Sequence, residues 1–571
     1  MKSLTMVAEP DDIERESAAD AHDLTPGPHT PGRAGITAAP MPAHRDDWER
    51  QLLADPKLLR DMAIAAAGPF HVVYPARVGQ NIRAFREVFD RAGVVGAIYY
   101  GKKANKAACV VTECATHGVG VDVSSAAEFD AALRGGVDGG DLMVTGPAKS
   151  DELLRLSVWH RAIIAIDSLE ELERLSQLSA RRVRSEQGTT GPEREISPGP
   201  SSFRRAFGRN PPSASSGSRP KARRDDGDGR RHHAENLSNS SQDTSNGPAT
   251  PGEPGGRAAA DRRPRVVLRV LPPGSHSRFG LTEEQLDLAV TRIEPESMLL
   301  EGFSFHLTGY DYAPRAELAA ALIDRCREAR GLGHPVTTIS IGGGFGVDYV
   351  PEQAWRNFVA GVNPRWFHGD KRPSPDSFYP YHFPDPGPTM LARVLEHDDL
   401  AGRLRREGLR LAVEPGRALL DRAGSSVFRV QGVKELSAHG HSYSVLTVDG
   451  TSLSLSEQWF DSEFLPDPVL WPERSGAVTP TCVGGASCLE DDMLSWRRIP
   501  LPGQASTGDL LIYPNTAGYQ MDSNESAFHE LPIPPKVVLR DRADGMGFTW
   551  TVDSPDPRVT SRIGQAIADE R

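Results

Sequence analysis

Short apolar runs alternate with amphipathic stretches along most of the chain, the pattern expected of repeating βα units. Eight runs read as buried strands: Ala97 to Tyr100, Gly118 to Val123, Leu142 to Gly146, Ala162 to Asp167, Val266 to Leu271, Glu301 to Leu307, Thr337 to Gly342 and Leu409 to Glu414. The intervening segments AAEFDAALRGG, SLEELERLSQL, EEQLDLAVTRI and PRAELAAALIDRCREARG repeat apolar residues every three or four positions, several with Ser or Thr just ahead as an N-cap. Eight such units fit an α/β fold, a closed (β/α)8 TIM-like barrel. After Arg417 the pattern changes to strand-like runs separated by Gly, Pro, Asp and Ser (SVFRVQGV, SYSVLTVDG, DLLIYP, KVVLRD, GFTWTVD), which predicts a C-terminal β-domain.

Two stretches break this pattern. Residues 1–43 and about 181–263 are rich in Pro, Ser, Gly, Arg and Asp and poor in apolar residues, so they read as a disordered leader and a disordered insertion in a surface loop. The expected organisation is leader 1–43, a segment 44–71 packing on the β-domain, a barrel over 72–424 carrying the insertion, a β-domain over 425–556 and a tail 557–571. The net charge of −12 argues against a nucleic-acid partner, and no run approaches the length of a membrane span. The Arg runs and His232-His233 of the insertion read as solvated charge and not as a nucleic-acid arm or a metal site. Without an N-terminal apolar segment, a cytoplasmic protein is the simplest reading. Five cysteines without CxxC spacing suggest neither a disulfide framework nor a metal site.

Barrel chemistry sits at the C-terminal ends of the strands. Here those ends carry Gly101 to Asn105, Asp122 with Ser124 and Ser125, Gly146 to Lys149, Arg269, His306, the glycines of Gly342 to Gly346, and Glu414 to Arg417. Glycines after strand seven and a Gly-Arg after strand eight lie where barrels hold a phosphate, because bare backbone N–H groups can approach its oxygens. The glycine run does not satisfy GxGxxG, since Val347 stands where the third glycine belongs, so a Rossmann site is disfavoured.

The motifs YYGKKAN, VDVSSAAEFDAAL, GPAKS, IDSLEELERL, GFSFHL, IGGGFG, EPGR, GGASCLEDD and AGY, in this order from about Pro69 to Leu539, resemble the fold type III pyridoxal 5′-phosphate (PLP) dependent decarboxylases of the diaminopimelate, ornithine and arginine decarboxylase family. The resemblance implies an amino-acid decarboxylase, a carboxy-lyase. It places the Schiff-base lysine at Lys103, activated by neighbouring cations, and a carboxylate partner for the pyridine nitrogen at Glu414. His306 would stack on the cofactor ring. Gly343, Gly344, Gly416, Arg417 and Tyr519 would hold the phosphate, and Asp122 and Arg269 would line the pocket. Cys488 is similar to the cysteine that a partner subunit contributes to reprotonate the Cα carbanion, so a homodimer with shared sites is implied. Two departures stand out. Leu489 follows the cysteine where the family has an acid that reads the distal amino group, leaving Glu490 and Asp492 as the substrate-binding candidates. His306-Leu307-Thr308-Gly309 replaces His-x-Gly-Ser, leaving Thr308 to substitute for the serine. A PLP-dependent racemase on the same barrel and a non-catalytic regulatory homologue are the alternatives.

Overall fold

The computed structural model describes residues 36–187, 263–373, 378–455, 463–522 and 526–554. Its strands in chain order are β1 (Phe70–Val73), β2 (Gly96–Gly101), β3 (Gly120–Val123), β4 (Leu142–Val144), β5 (Ile163–Ile166), β6 (Arg265–Arg269), β7 (Leu299–Ser304), β8 (Thr338–Ser340), β9 (Arg410–Val413), β10 (Gly424–Ala438), β11 (His441–Val448), β12 (Val469–Trp471), β13 (Val478–Gly484), β14 (Met493–Pro502), β15 (Leu510–Tyr513), β16 (Lys536–Asp541) and β17 (Phe548–Val552). Strands β2 to β9 are parallel and close into a barrel, with β2 paired to β9 at Ala97 and Ala412. All eight predicted runs are barrel strands.

The caps read from the sequence work as expected. Ser125 and Thr282 each accept the backbone N–H three residues ahead, at 3.1 and 3.3 Å, and Thr282 with Gln285 completes a capping box. Tyr99, Met143, Ile163, Ala165, Val267 and Ala412 fill the barrel interior, while the strands' other faces join the large core shared with the helices. At the N-terminal ends of β6, β7 and β9, Arg265 and Arg410 share the carboxylate of Glu301. That leaves the opposite end for chemistry.

The remaining nine strands form a mixed sheet ordered β14-β13-β11-β10-β1-β16-β17, with β15 also on β10 and β12 on β15. Strand β1 pairs with β10 and β16, so residues 70–73 belong to this sheet and cross the expected boundary at 72. Helices Asp47–Leu53 and Pro56–Ala66 lay Trp48, Leu52, Leu59 and Met62 on it.

Two expected boundaries shift. Of the leader, residues 36–43 are anchored: Met41 is buried and its N–H donates to Asp467 at 2.7 Å, and Ala38 N–H donates to Arg498 O at 3.1 Å. The helix from Leu169 continues to Gln187, past the expected start of the insertion at 181. Residues 1–35, 188–262 and 555–571, which hold the rest of the leader, the insertion and the tail, lie outside the described residues. No helix among those described is long and apolar enough to cross a membrane.

Candidate active site

The segment after β2 is a single 3-10 turn, Lys102–Ala104, whose geometry separates its two lysines. Lys102 turns into the protein and is buried. The Lys103 side chain is 58% exposed at the barrel mouth, its Nζ 3.7 Å from Asp122 Oδ2. The turn is held by the second domain: Asn105 Nδ2 donates to Ala517 O at 2.9 Å, Tyr519 N–H donates to Ala104 O at 2.8 Å, and Lys106 N–H donates to Asp522 at 2.6 Å. The Y-x-x-K-A-N and AGY motifs, over 400 residues apart in sequence, are therefore two halves of one joint.

Charge at the mouth is dense. Asp122 is buried and accepts from Thr145 Oγ1 at 2.6 Å. Its carboxylate holds the Lys103 ammonium above the usual lysine range, which corrects the expectation that surrounding cations depress it. Burial and the neighbouring Asp122 push the Glu414 carboxyl up to about 7, although Ser340 Oγ donates to it at 2.6 Å. Gly343 N–H donates to His306 Nδ1 at 3.3 Å, so the ring's proton sits on Nε2. Desolvation at the barrel mouth, together with the charges of Lys103, Arg269 and Arg315, holds the imidazole below its usual range and keeps it neutral, although its side chain is not buried. Arg269 pairs with Asp167 at 3.4 Å and lies over the Phe279 ring at 4.5 Å.

The glycine loop is shaped for something without side chains. Gly342 and Gly344 have φ of +68° and +82°, which only glycine adopts freely. A Cβ on Gly343 would sit 2.7 Å from Glu414 O, and one on Gly416 3.1 Å from Tyr519 Oη. Two details differ from expectation. The Gly343 N–H is occupied by His306, and the buried Arg417 guanidinium is engaged within the protein. It donates to Tyr349 Oη at 3.2 Å and Gly518 O at 3.4 Å, and lies between the rings of Tyr379 and Tyr519. The Thr308 side chain is exposed.

The cysteine loop between β13 and β14 is built separately. Cys488 is exposed, with Sγ 3.1 Å from His529 Nε2. Asp492 is buried and accepts from the N–H groups of Ser452 at 2.7 Å and Ser487 at 3.0 Å, so it shapes the loop. Glu490 remains exposed beside it. Sequence reasoning did not find Thr145, Ser340, Arg315, His529 or the ring of Phe383 against Gly346. Each acquires its role from a partner far away in sequence.

Lysine, two acids, a neutral imidazole and a glycine cradle at the C-terminal end of a barrel form a donor set that suits a phosphorylated aldehyde whose ring bears a basic nitrogen. The sequence profile described as "Pyridoxal-dependent decarboxylase, pyridoxal binding domain" matches residues 76–188. An uncharacterised protein of Sinorhizobium fredii, y4yA, is 32% identical over 86% of this chain and 91% of its own. The chain belongs to the fold type III PLP-dependent decarboxylases. PLP is the cofactor of this family, and its members are carboxy-lyases. A diaminopimelate decarboxylase of Actinosynnema pretiosum is 27% identical over 50% of this chain, and the match spans 60% of that relative's length. Among solved structures, a diaminopimelate decarboxylase of M. jannaschii in complex with L-lysine shares the fold with a TM-score of 0.58 at 16% identity, covering 84% of this chain and 88% of that one. A lysine/ornithine decarboxylase of Vibrio vulnificus complexed with putrescine has a TM-score of 0.55 at 16% identity, covering 85% and 97%.

Proposed function

We propose that this protein decarboxylates an amino acid. The observation that carries the reading is Lys103 Nζ at the barrel mouth beside Asp122, in one pocket with Glu414 and His306. When bound, PLP supplies an electron sink for the pair left behind as CO2 departs. The chain's own groups do the rest. Lys103 holds an amine at the mouth. Asp122 orients that ammonium and is near enough, at 3.7 Å, to take up the proton that must leave before the amine can act as a nucleophile. Glu414, with a pKa near neutrality, is suited to share a proton with a ring nitrogen. His306, uncharged, offers a flat face at no electrostatic cost to a cationic ring. The Gly342 to Gly346 loop, Gly416 and Tyr519 would hold the phosphate, with Asp122 and Arg269 lining the pocket.

Cys488 is assigned as the proton donor to Cα, delivered by a second copy of the chain, and His529 Nε2 is placed to replenish that proton. Exposed Leu489 and Phe528 beside this pair favour an interface here, because apolar side chains of this size seek cover. Leu489 replaces the acid that would read a distal amino group, which points away from a plain diamino acid and toward an amino acid with a modified or neutral distal end. Glu490, exposed in the same loop as Asp491, is the candidate acid to contact it. The test is CO2 release over a panel of L- and D-amino acids, including modified diamino acids. Release from at least one, abolished in Lys103→Ala, is expected. Exchange of the Cα proton with inversion and no CO2 would instead identify a racemase.

A further inference from the structure

Arg315 is a buried cation with no carboxylate in ion-pair contact among the described residues; Asp311 acts on it only from longer range. It lies in the first turn of the helix Ala313–Gly331 and is 1% exposed. Nη1 donates to Asp311 O at 2.7 Å, and Nη2 donates to Leu307 O at 3.1 Å and Gly309 O at 2.7 Å, all neutral carbonyls. Its Nε has no acceptor. No carboxylate pairs with it among the described residues. This placement is unfavourable in three ways: the charge is desolvated without a contacting carboxylate, a buried donor is unmet, and the positive end of the helix dipole repels it. Burial lowers the guanidinium to about 10, so it still carries its charge at neutral pH.

Its position explains what offsets these costs. Nη2 abuts Gly344 so closely that a Cβ there would collide with it, which puts the guanidinium directly behind the glycine loop. Across that loop Gly343 N–H serves His306, and the Arg417 guanidinium also donates to Tyr349 Oη and Gly518 O. A doubly charged phosphate cradled there would be balanced only in part by that one guanidinium, which leaves a second positive charge to be supplied.

We propose that Arg315 supplies that charge: it is a positioning residue that neutralises the cofactor phosphate from behind the Gly342 to Gly346 loop, while its carbonyl bonds pin the 307–311 turn. The proposal rests on the reading of this loop as the phosphate cradle.

Apoprotein titrated with PLP and with unphosphorylated pyridoxal separates charge from mere bracing. Arg315→Met is expected to weaken PLP roughly tenfold to a hundredfold while changing pyridoxal affinity by less than about twofold, the size of a lost charge-assisted contact. Thermal stabilisation of the apoprotein by inorganic phosphate should disappear in this variant and persist in Arg315→Lys. An equal loss for both ligands, or unchanged PLP affinity in the folded variant, overturns the proposal. If the methionine variant does not fold, Arg315→Lys decides. It keeps the charge but cannot span three carbonyls, so a preserved ratio of PLP to pyridoxal affinity with retained phosphate stabilisation supports the proposal, and loss of the phosphate stabilisation refutes it. Wild-type apoprotein that gains nothing from the phosphate group of PLP would remove the cradle itself, an outcome visible before any Arg315 variant is made.

Discussion

Two lysines follow barrel strands within one fold and lead opposite lives. Lys149, after β4, is 1% exposed and donates to Gly146 O at 3.0 Å, Ala165 O at 2.5 Å and Glu171 Oε2 at 2.9 Å, with Glu171 equally buried. Lys103, after β2, has one ionic contact at 3.7 Å and is otherwise open. The first is saturated by the protein. The second keeps its remaining donors open at the barrel mouth. A functional amine is marked less by burial or charge than by bonds left unmade in a place where the surroundings could have made them.

The contrast breaks most directly by deleting each lysine in turn. Lys103→Ala should abolish turnover, by about a thousandfold or more, yet change unfolding free energy by less than about 1 kcal/mol; activity assays and denaturant titration on one preparation check both. Lys149→Ala should do the reverse. It leaves Glu171 as an uncompensated buried charge and should cost on the order of 3–5 kcal/mol in stability, read from the denaturation midpoint, with cofactor uptake persisting in whatever remains folded.

These differences were unevenly legible in the chain. The barrel was readable because its strands are short apolar runs and its helices carry their caps locally, as at Ser125 and Thr282. Strands β12 to β14 were not. Pro480, Pro500 and Pro502 interrupt β13 and β14, and β14 carries Arg497 and Arg498, which look solvent-facing but are each 1% exposed. Proline is tolerated because β14 is an edge strand and Pro480 lies outside the stretch of β13 that pairs with β11. Lys103, Glu414 and His306 could be singled out because motif and strand-end position coincide. Arg315 was not, since a single arginine on an amphipathic helix reads as a solvated face until the fold sets it against Gly344.

Two smaller pairs sharpen the same comparison. Cys482 is buried, with Sγ donating to Trp496 O at 3.3 Å and burial raising its thiol, whereas Cys488 is exposed and meets only His529 among the described residues. Cys488→Ala should slow turnover by about a hundredfold, and Cys482→Ala by far less; steady-state rates and iodoacetamide labelling of the two thiols distinguish them. Glu49 and Glu414 are both pushed up to about 7, yet Glu49 lies in the N-terminal helix against Ser425, away from the barrel mouth. A carboxyl with a folded pKa above its unfolded value binds more protons when folded. Its contribution to stability is therefore full below about pH 4.5 and lost as pH rises through about 7. Glu49→Gln should flatten that decline by on the order of 2 kcal/mol in pH-dependent unfolding while leaving activity unchanged.

The central claim is that one amine, Lys103, carries the cofactor. Borohydride reduction of the PLP-loaded protein followed by peptide mass mapping tests it most directly. A pyridoxyl group on Lys103 alone is the predicted result; a label on Lys102 or Lys149, or none on a preparation that has taken up PLP, would contradict it.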